Sequence, residues 1–317
     1  MKSLIQRRLL MLIPTLVGIS LLGFILLELM PGDATTLLMR RSAGEVTPEA
    51  IDNLRRELGL DRPWPVRYLR WVGRAVRLDF GTSFSSGEPV RREIFSRLPA
   101  TLALALGAFT FMLTVTLPLG VLSALRKNQW PDHLIRVGAI VFHSVPAYWL
   151  GLLLLWVFAL KLGLFRVVGQ GAWQDLILPI VTLGSGMAAF YSRMTRERVI
   201  DVLEQDYIRL VYAKGLSRRI LIFRHVLKNA LLPLVTLWGM SFGYLLGGSV
   251  IVESVFSWPG VGKLVVDAIL NRDHPVIQAY VVLMALIFIS VNLIVDLVYP
   301  LLDPRLRPRR SAEAMEG

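Results

Sequence analysis

Apolar residues in this chain gather into long uninterrupted runs instead of recurring with a period of two or 3.6. Six stretches contain no Asp, Glu, Lys or Arg: Leu9 to Leu27, Leu98 to Leu125, Val137 to Leu160, Leu176 to Ser192, Asn229 to Val252 and Pro275 to Val295. Each has about 17 to 28 residues, enough helix to cross a hydrocarbon core about 30 Å thick with some tilt. Lipid offers no partner to a backbone N–H or C=O, so each run is predicted to be helical. The fourth is the shortest and holds Pro179, Gly184 and Gly186, which makes it the weakest span. The pattern predicts an all-α integral membrane protein with six transmembrane helices.

The remaining segments divide the chain. Residues 1–30 form an N-terminal segment and first span, 31–97 a long connection, 98–305 a five-helix core and 306–317 a tail. Within the long connection, Thr47-Pro48-Glu49 reads as a helix start and Gly59 as its end. From Val66 to Leu78, Tyr68, Leu69, Val72 and Val76 share one face and arginines the other, the pattern of a helix on the membrane surface or against the spans. Lys2, Arg7 and Arg8 before the first run resemble a signal peptide. That run is long, however, and no small-residue cleavage site follows before Pro31, so it is read as a retained span.

Charge adds orientation. Lys2, Arg7 and Arg8, then Arg126, Lys127 and Arg136, then nine basic residues from Arg193 to Lys228, then Arg305, Arg307, Arg309 and Arg310 flank alternate span ends. Basic short loops stay inside, so both termini are predicted to be cytoplasmic. The nearly balanced Arg166–Asp175 and Glu253–His274 connections and the long 31–97 segment fall outside. The overall composition agrees: 54% hydrophobic, mean hydropathy +0.57 and only 18% charged. The net charge of +12 lies near span ends with no aromatic-interleaved basic domain, so it predicts no nucleic-acid partner. There are no cysteines, which removes disulfides, thiolate metal sites and cysteine nucleophiles.

Candidate chemistry is sparse. Gly260-Val261-Gly262-Lys263 lacks the upstream glycine and the following hydroxyl residue of a phosphate-binding loop, and it falls on the outer side. Any ATP and Mg are therefore expected on another chain, with no cofactor here. Glu28, Lys161, Asp175 and Asp296 lie toward span ends, where hydration explains them better than an ion relay. His143 reads as a hydrogen-bonded interior histidine, and His133, His143, His225 and His274 have no ligand spacing, so no metal is expected. No grouping suggests a catalytic site. Gly239, Gly243 and Gly247 make a small-residue ridge that serves either packing within the chain or a subunit or gate interface. Asn292 reads as an interhelical hydrogen-bonder.

The segment 193–228 is the most informative. It reads as two short helices broken at Lys214-Gly215-Leu216, with Gly215 ending the first in the left-handed conformation and Ser217 capping the second. Ile208, Val211, Tyr212 and Leu216 project apolar groups among basic ones. This suits either an amphipathic helix on anionic lipid or a knob in the groove of a partner protein.

Asp206-Tyr207-Ile208-Arg209, Ala213-Lys214-Gly215-Leu216 and His225-Val226-Leu227-Lys228-Asn229-Ala230-Leu231-Leu232-Pro233 together resemble the coupling motif of ABC importer permeases of the dipeptide/oligopeptide/nickel family. Further pieces agree in order: Leu58-Gly59-Leu60-Asp61, Asp79-Phe80-Gly81-Thr82-Ser83-Phe84, Pro89-Val90, Leu98-Pro99-Ala100-Thr101-Leu102, Trp258-Pro259-Gly260-Val261-Gly262, Arg272-Asp273, and Asp296 with Asp303-Pro304-Arg305. The chain departs from the general Glu-Ala-Ala pattern before the glycine, having Arg209-Leu210-Val211. The resemblance implies a non-catalytic, type I permease in the bacterial inner membrane. Tyr207, Arg209, Tyr212, Ala213, Lys214, Gly215, Leu216, His225 and Asn229 would couple it to two ATPase subunits that bind ATP and Mg. A second, homologous permease subunit, a periplasmic substrate-binding protein and membrane lipid are the other implied partners. Cargo would be a di- or oligopeptide, with a nickel chelate as the alternative. From a different class, a self-sufficient carrier or channel is disfavoured by the lack of mid-span charges, and a membrane enzyme by the lack of a catalytic grouping.

Overall fold

The computed structural model describes residues 2–29, 61–167, 172–215 and 217–302, with isolated positions between 49 and 59. Among these the chain is almost wholly helical. Helix α1 is Lys2–Glu28 and α2 is Trp64–Ala75. α3, Val90–Leu125, begins eight residues before the second apolar run. α4 is Trp130–Ser144, α5 is Ala147–Leu154 continued by a π-helical stretch Leu155–Lys161, and α6 is Ile177–Leu203. α7, Asp206–Ala213, precedes a short helix Arg218–Ile220 and a π-helical turn Leu221–Val226, which lead into α8, Leu227–Val255. α9 is Val261–Leu270 and α10 is His274–Leu302.

Among the described residues five helices are long and apolar enough to cross a membrane: those of runs one, two, four, five and six. The third run is different. α4 and the helix Ala147–Lys161 meet at 102°, so the predicted single span from Val137 to Leu160 is a broken pair. The cause is Pro146, which excludes Val145 from the α region; Val145 sits at φ −77, ψ 124 and ends α4. Six spans are reached when the bent pair counts as one. The fourth run, weakest by pattern, forms a full helix that continues eleven residues past Ser192, with Pro179 tolerated in its first turn. Its apolar window is 56% buried, against 11% for α1. An interior span needs less lipophilic surface than a peripheral one, which explains its modest hydropathy.

The chain divides into two compact units. One comprises Met1–Ala103, Val168–Ala172 and Ser249–Ile289; the other comprises Leu104–Val167, Trp173–Gly248 and Ser290–Gly317. The core of the first joins Leu27, Val90, Ile94, Val261, Leu264, Val265, Ala268, Val276, Ile277 and Ala279. The core of the second has two parts, one around Met112, Ala188, Tyr191, Leu234 and Trp238, the other around Ala124, Val199, Ile200, Ile208, Leu221 and Val226. In the second unit α3 and α6 approach closely. A Cβ on Gly184 would lie 2.7 Å from Phe111 and 2.9 Å from the Ala108 carbonyl, and one on Gly120 would lie 2.9 Å from the Ser192 carbonyl. The ridge on α8 contributes less: Gly239 faces Val295 within the chain, Gly243 is buried, and Gly247 has nothing within 4 Å.

In the long connection, Glu49, Asp52, Asn53 and Arg56 are helical. Gly59 turns the chain at φ +67, its N–H donating to the Arg56 carbonyl, as a C-terminal glycine does. α2 occupies the segment predicted as amphipathic, but its packed face is rotated. Tyr68 is buried and Trp71 and Val72 half-buried, while Leu69 and Val76 are exposed.

Candidate functional site

The elbow between α6 and α8 is built by one turn and one glycine. α6 ends at Leu203, and after Glu204-Gln205 the chain re-enters helix as α7. Gly215 then takes φ +79, a conformation that costs a residue with a Cβ about 1–2 kcal/mol. Ser217 stands just ahead of the next helix, and its carbonyl accepts the Leu221 N–H at 3.0 Å. Leu216 and the tail motif Asp303-Pro304-Arg305 lie outside the described residues, as do the side chains of Tyr212, Arg218 and Asp296.

The elbow's apolar residues divide in a way the pattern did not predict. Ile208 is 4% exposed and packs with Val199, Ile200, Leu221 and Val226, and Val211 joins the same cluster. These side chains anchor α7 to its own unit. The outward surface is instead Leu210, Ile220 and Phe223, exposed among Arg209, Lys214, Arg219, Arg224 and Lys228, with Ala213 and Gly215 also exposed. The Asn229 amide donates to the Tyr207 hydroxyl at 2.7 Å, fastening α7 to the first turn of α8, and His225 is half-buried one turn earlier. Arg209 pairs with Asp206 only at 3.7 Å on an exposed surface, where such a pair contributes little.

Among the described residues three buried carboxylates went unrecognised in the sequence pattern. Asp132, 0% exposed on α4, accepts two bonds of 2.7 Å each from the Arg196 guanidinium of α6. It also accepts from Ser123 of α3 and from the Asn128 N–H. Arg196, read as an orienting charge, is therefore half of a paired fork that ties three helices together. Beside it the Lys127 ammonium lies 2.6 Å from Glu204, joining the α3–α4 turn to the start of the elbow and holding the Glu204 carboxyl below its usual range.

The second carboxylate is Glu253, 0% exposed on α8, in the first unit. Thr101 of α3 donates to Oε1 at 2.8 Å, and the Lys263 N–H donates to Oε2 at 2.9 Å. Ser249 and the Gly262 N–H also bond to it, while the Thr101 oxygen accepts the Val261 N–H at 2.8 Å. The Gly260-Val261-Gly262-Lys263 turn does cradle an anion at a helix N-terminus, and the anion is the chain's own carboxylate. Glycine is needed because a Cβ at Gly260 would collide with that carboxylate. The Trp258 indole donates to the Ala100 carbonyl at 3.0 Å, completing the contact between two motifs more than 150 positions apart.

The third is Asp273, 1% exposed and immediately before α10. It accepts from the Ser83 hydroxyl and, at 2.9 Å, from the Ser85 N–H, and its own N–H donates to Ala268 at the end of α9. α9 is thus tied at its start to the Glu253 carboxylate and at its end to the Asp273 N–H. Of the three, only Glu253, which directly follows the fifth apolar run, carried a signal in the sequence; Asp132 borders no run and Asp273 follows Arg272. Among the described residues no group of three or more His, Asp or Glu could hold a metal ion. His143, expected in the interior, is exposed within the chain, its ring nitrogen 3.4 Å from the Gly186 carbonyl and its ring beside Phe190 at 5.5 Å.

Residues 116–308 match the family "Binding-protein-dependent transport system inner membrane component", and residues 1–105 match its N-terminal companion. The glutathione transport system permease protein GsiC of Escherichia coli K12 is 42% identical over 307 residues, covering 97% of this chain and 99% of that protein. GsiC of Salmonella typhimurium LT2 is 41% identical over the same length. An inward-facing structure of the MetNI methionine ABC transporter shares the fold, with a TM-score of 0.56 at 21% identity, over 66% of this chain and 95% of that one. This chain therefore belongs to the binding-protein-dependent inner-membrane component family, and is a multi-pass ABC importer permease of the dipeptide/oligopeptide/nickel group.

Proposed function

We propose that this chain lines the translocation path of an ABC importer for short peptides of the size of glutathione. The observation that carries this reading is the 42% identity to GsiC along 97% of the chain. A periplasmic binding protein delivers the peptide, a second homologous permease completes the path, and two ATPase subunits bind ATP and Mg. Both termini and the 193–228 elbow face the cytoplasm, and the 31–97 segment faces the periplasm, in keeping with the basic loops. Two features support the elbow as the ATPase contact: the exposure of Leu210, Ile220 and Phe223 in a segment rich in exposed basic residues, and the seating of α7 by Ile208 and the Tyr207–Asn229 bond.

Labelled glutathione and a labelled dipeptide test the substrate, in cells with and without this chain and with its partner subunits present. Loss of glutathione or dipeptide uptake on deletion supports the reading; unchanged uptake of both moves the cargo to another small solute. Gly215→Val tests the elbow. Its φ of +79 disfavours valine and displaces the exposed turn, so ATP hydrolysis should persist while uptake falls. Uptake at the unsubstituted rate would remove the elbow from the coupling path.

A further inference from the structure

Helix α2 belongs to the connection placed on the outer side of the membrane, where its pattern suits the membrane surface or the spans, and its contacts place it beside the apolar part of α1. The Tyr68 hydroxyl lies 3.0 Å from Ser20 Oγ and donates to the Val17 carbonyl at 3.3 Å. The Phe24 ring meets Tyr68 edge to face at 5.5 Å. One residue away, the Arg67 guanidinium reaches Glu28 at 2.6 Å, at the end of the apolar run. Ser20 is eight residues from Glu28, about 12 Å along a helix axis, and Val17 about 17 Å. A tyrosine side chain is shorter than that drop. With Glu28 at the edge of the hydrocarbon, the backbone of α2 at Tyr68 therefore lies below it, at acyl-chain depth.

The free surface of α2 matches that depth. Pro65, Leu69, Val72 and Val76 recur at helical spacing on one stripe, with Leu69 68% and Val76 80% exposed. Arg70, Arg74 and Arg77 recur on another, and Trp64 stands exposed at the helix start. Arginine stems snorkel toward water while their apolar neighbours stay in lipid, and a tryptophan suits the boundary. α1 itself is mostly uncovered within the chain.

We propose that α2 is inserted into the leaflet at the Glu28 end of α1, its Leu69–Val76 stripe against acyl chains and its Arg70 and Arg77 guanidinium groups at lipid phosphates. The occupant of the stripe is lipid, not a docked protein. The inference rests only on α1 crossing the membrane, so it stands apart from the identity of the cargo. This chain has no cysteine, so with partner subunits freed of accessible cysteines Leu69→Cys or Val76→Cys attaches a nitroxide at one place, on an exposed side chain where packing is undisturbed.

The assembled importer is placed in nanodiscs of phosphatidylethanolamine and phosphatidylglycerol. Collisions with oxygen, which concentrates in lipid, are compared with collisions with a water-soluble nickel chelate. Both labels should show an oxygen-to-nickel ratio several-fold above that of a label at Arg70→Cys, and close to that of a label at Leu22→Cys on the exposed face of α1. Free access of the nickel chelate at Leu69 and Val76 would return α2 to the aqueous surface. An immobile label shielded from both reagents would mean that a protein covers the stripe. Either result overturns the proposal.

Discussion

Replacing Glu253 should reveal how much of the first unit hangs on one carboxylate. Its partners are the Thr101 and Ser249 hydroxyls and the N–H groups of Gly262 and Lys263, all around a side chain with no exposure. Alanine leaves the two N–H groups buried without an acceptor, and each such orphan costs about 1–3 kcal/mol. The hydroxyls can rotate to nearby carbonyls and are charged less. The expected loss is therefore roughly 2–6 kcal/mol for Glu253→Ala, and less for glutamine, which keeps one acceptor oxygen. Gly260→Ala should also destabilise, because its methyl meets the carboxylate, while its φ of −95 suits any residue. In the double variant the obstructing carboxylate is gone and the methyl occupies vacated space. The two losses should then fall short of additive by 1 kcal/mol or more, on the order expected for residues in contact. Thermal unfolding of the purified importer in nanodiscs, followed by near-ultraviolet dichroism, measures all four forms of the cycle. Strict additivity, or a Glu253→Ala form as stable as the parent, would refute the account of this turn.

Other consequences are equally open to measurement. Asp132→Asn should cost about 3–5 kcal/mol by leaving Arg196 without its anion, and Arg196→Lys should cost less but still register, because an ammonium cannot reproduce two parallel bonds; chemical unfolding separates the three forms. Gly184→Ala and Gly120→Ala should each destabilise by about 1–3 kcal/mol through collision with helix backbone, and membrane accumulation of the folded chain reads this out. Gly247→Ala, with open space around it, should be neutral or stabilising by up to about 1 kcal/mol. The Arg74 guanidinium and the Gly81 N–H hold the Asp79 carboxyl below its usual value near 3.9. A lowered acid contributes stability above its unfolded pKa and loses it as pH falls through the folded one. Amide exchange at Gly81 should thus stay slow through pH 4 and rise below it, whereas a rise already complete at pH 5 would contradict the pairing.

Much of this protein is legible in one dimension because lipid imposes a one-dimensional rule. A run of about 20 uncharged residues must be helical to satisfy its backbone, so the spans and their order follow from counting. Local chemistry is as direct where it depends on a few adjacent residues: Gly215 takes the positive φ assigned to it, Gly59 turns the chain where a helix end was expected, and α2 forms where the alternation of arginine and apolar residues placed it. Counting alone overlooked Pro146, whose effect on Val145 splits the third run at 102°.

What only the tertiary structure decided is which surfaces are inside and which charges are paired. Ile208 and Leu210 are equivalent by composition, and only the packing of α7 against Val199 and Val226 buries one and exposes the other. Arg196 counts as a cytoplasmic charge in any loop tally until Asp132, 64 positions earlier, is seen at 2.7 Å. Glu253, Thr101 and Gly260 carry no shared local pattern, because the bonds that join them link segments distant in sequence. Hydropathy acts residue by residue and survives in the linear order. Burial of a polar group depends on partners the chain brings back from far away, and that information appears only once the helices have met.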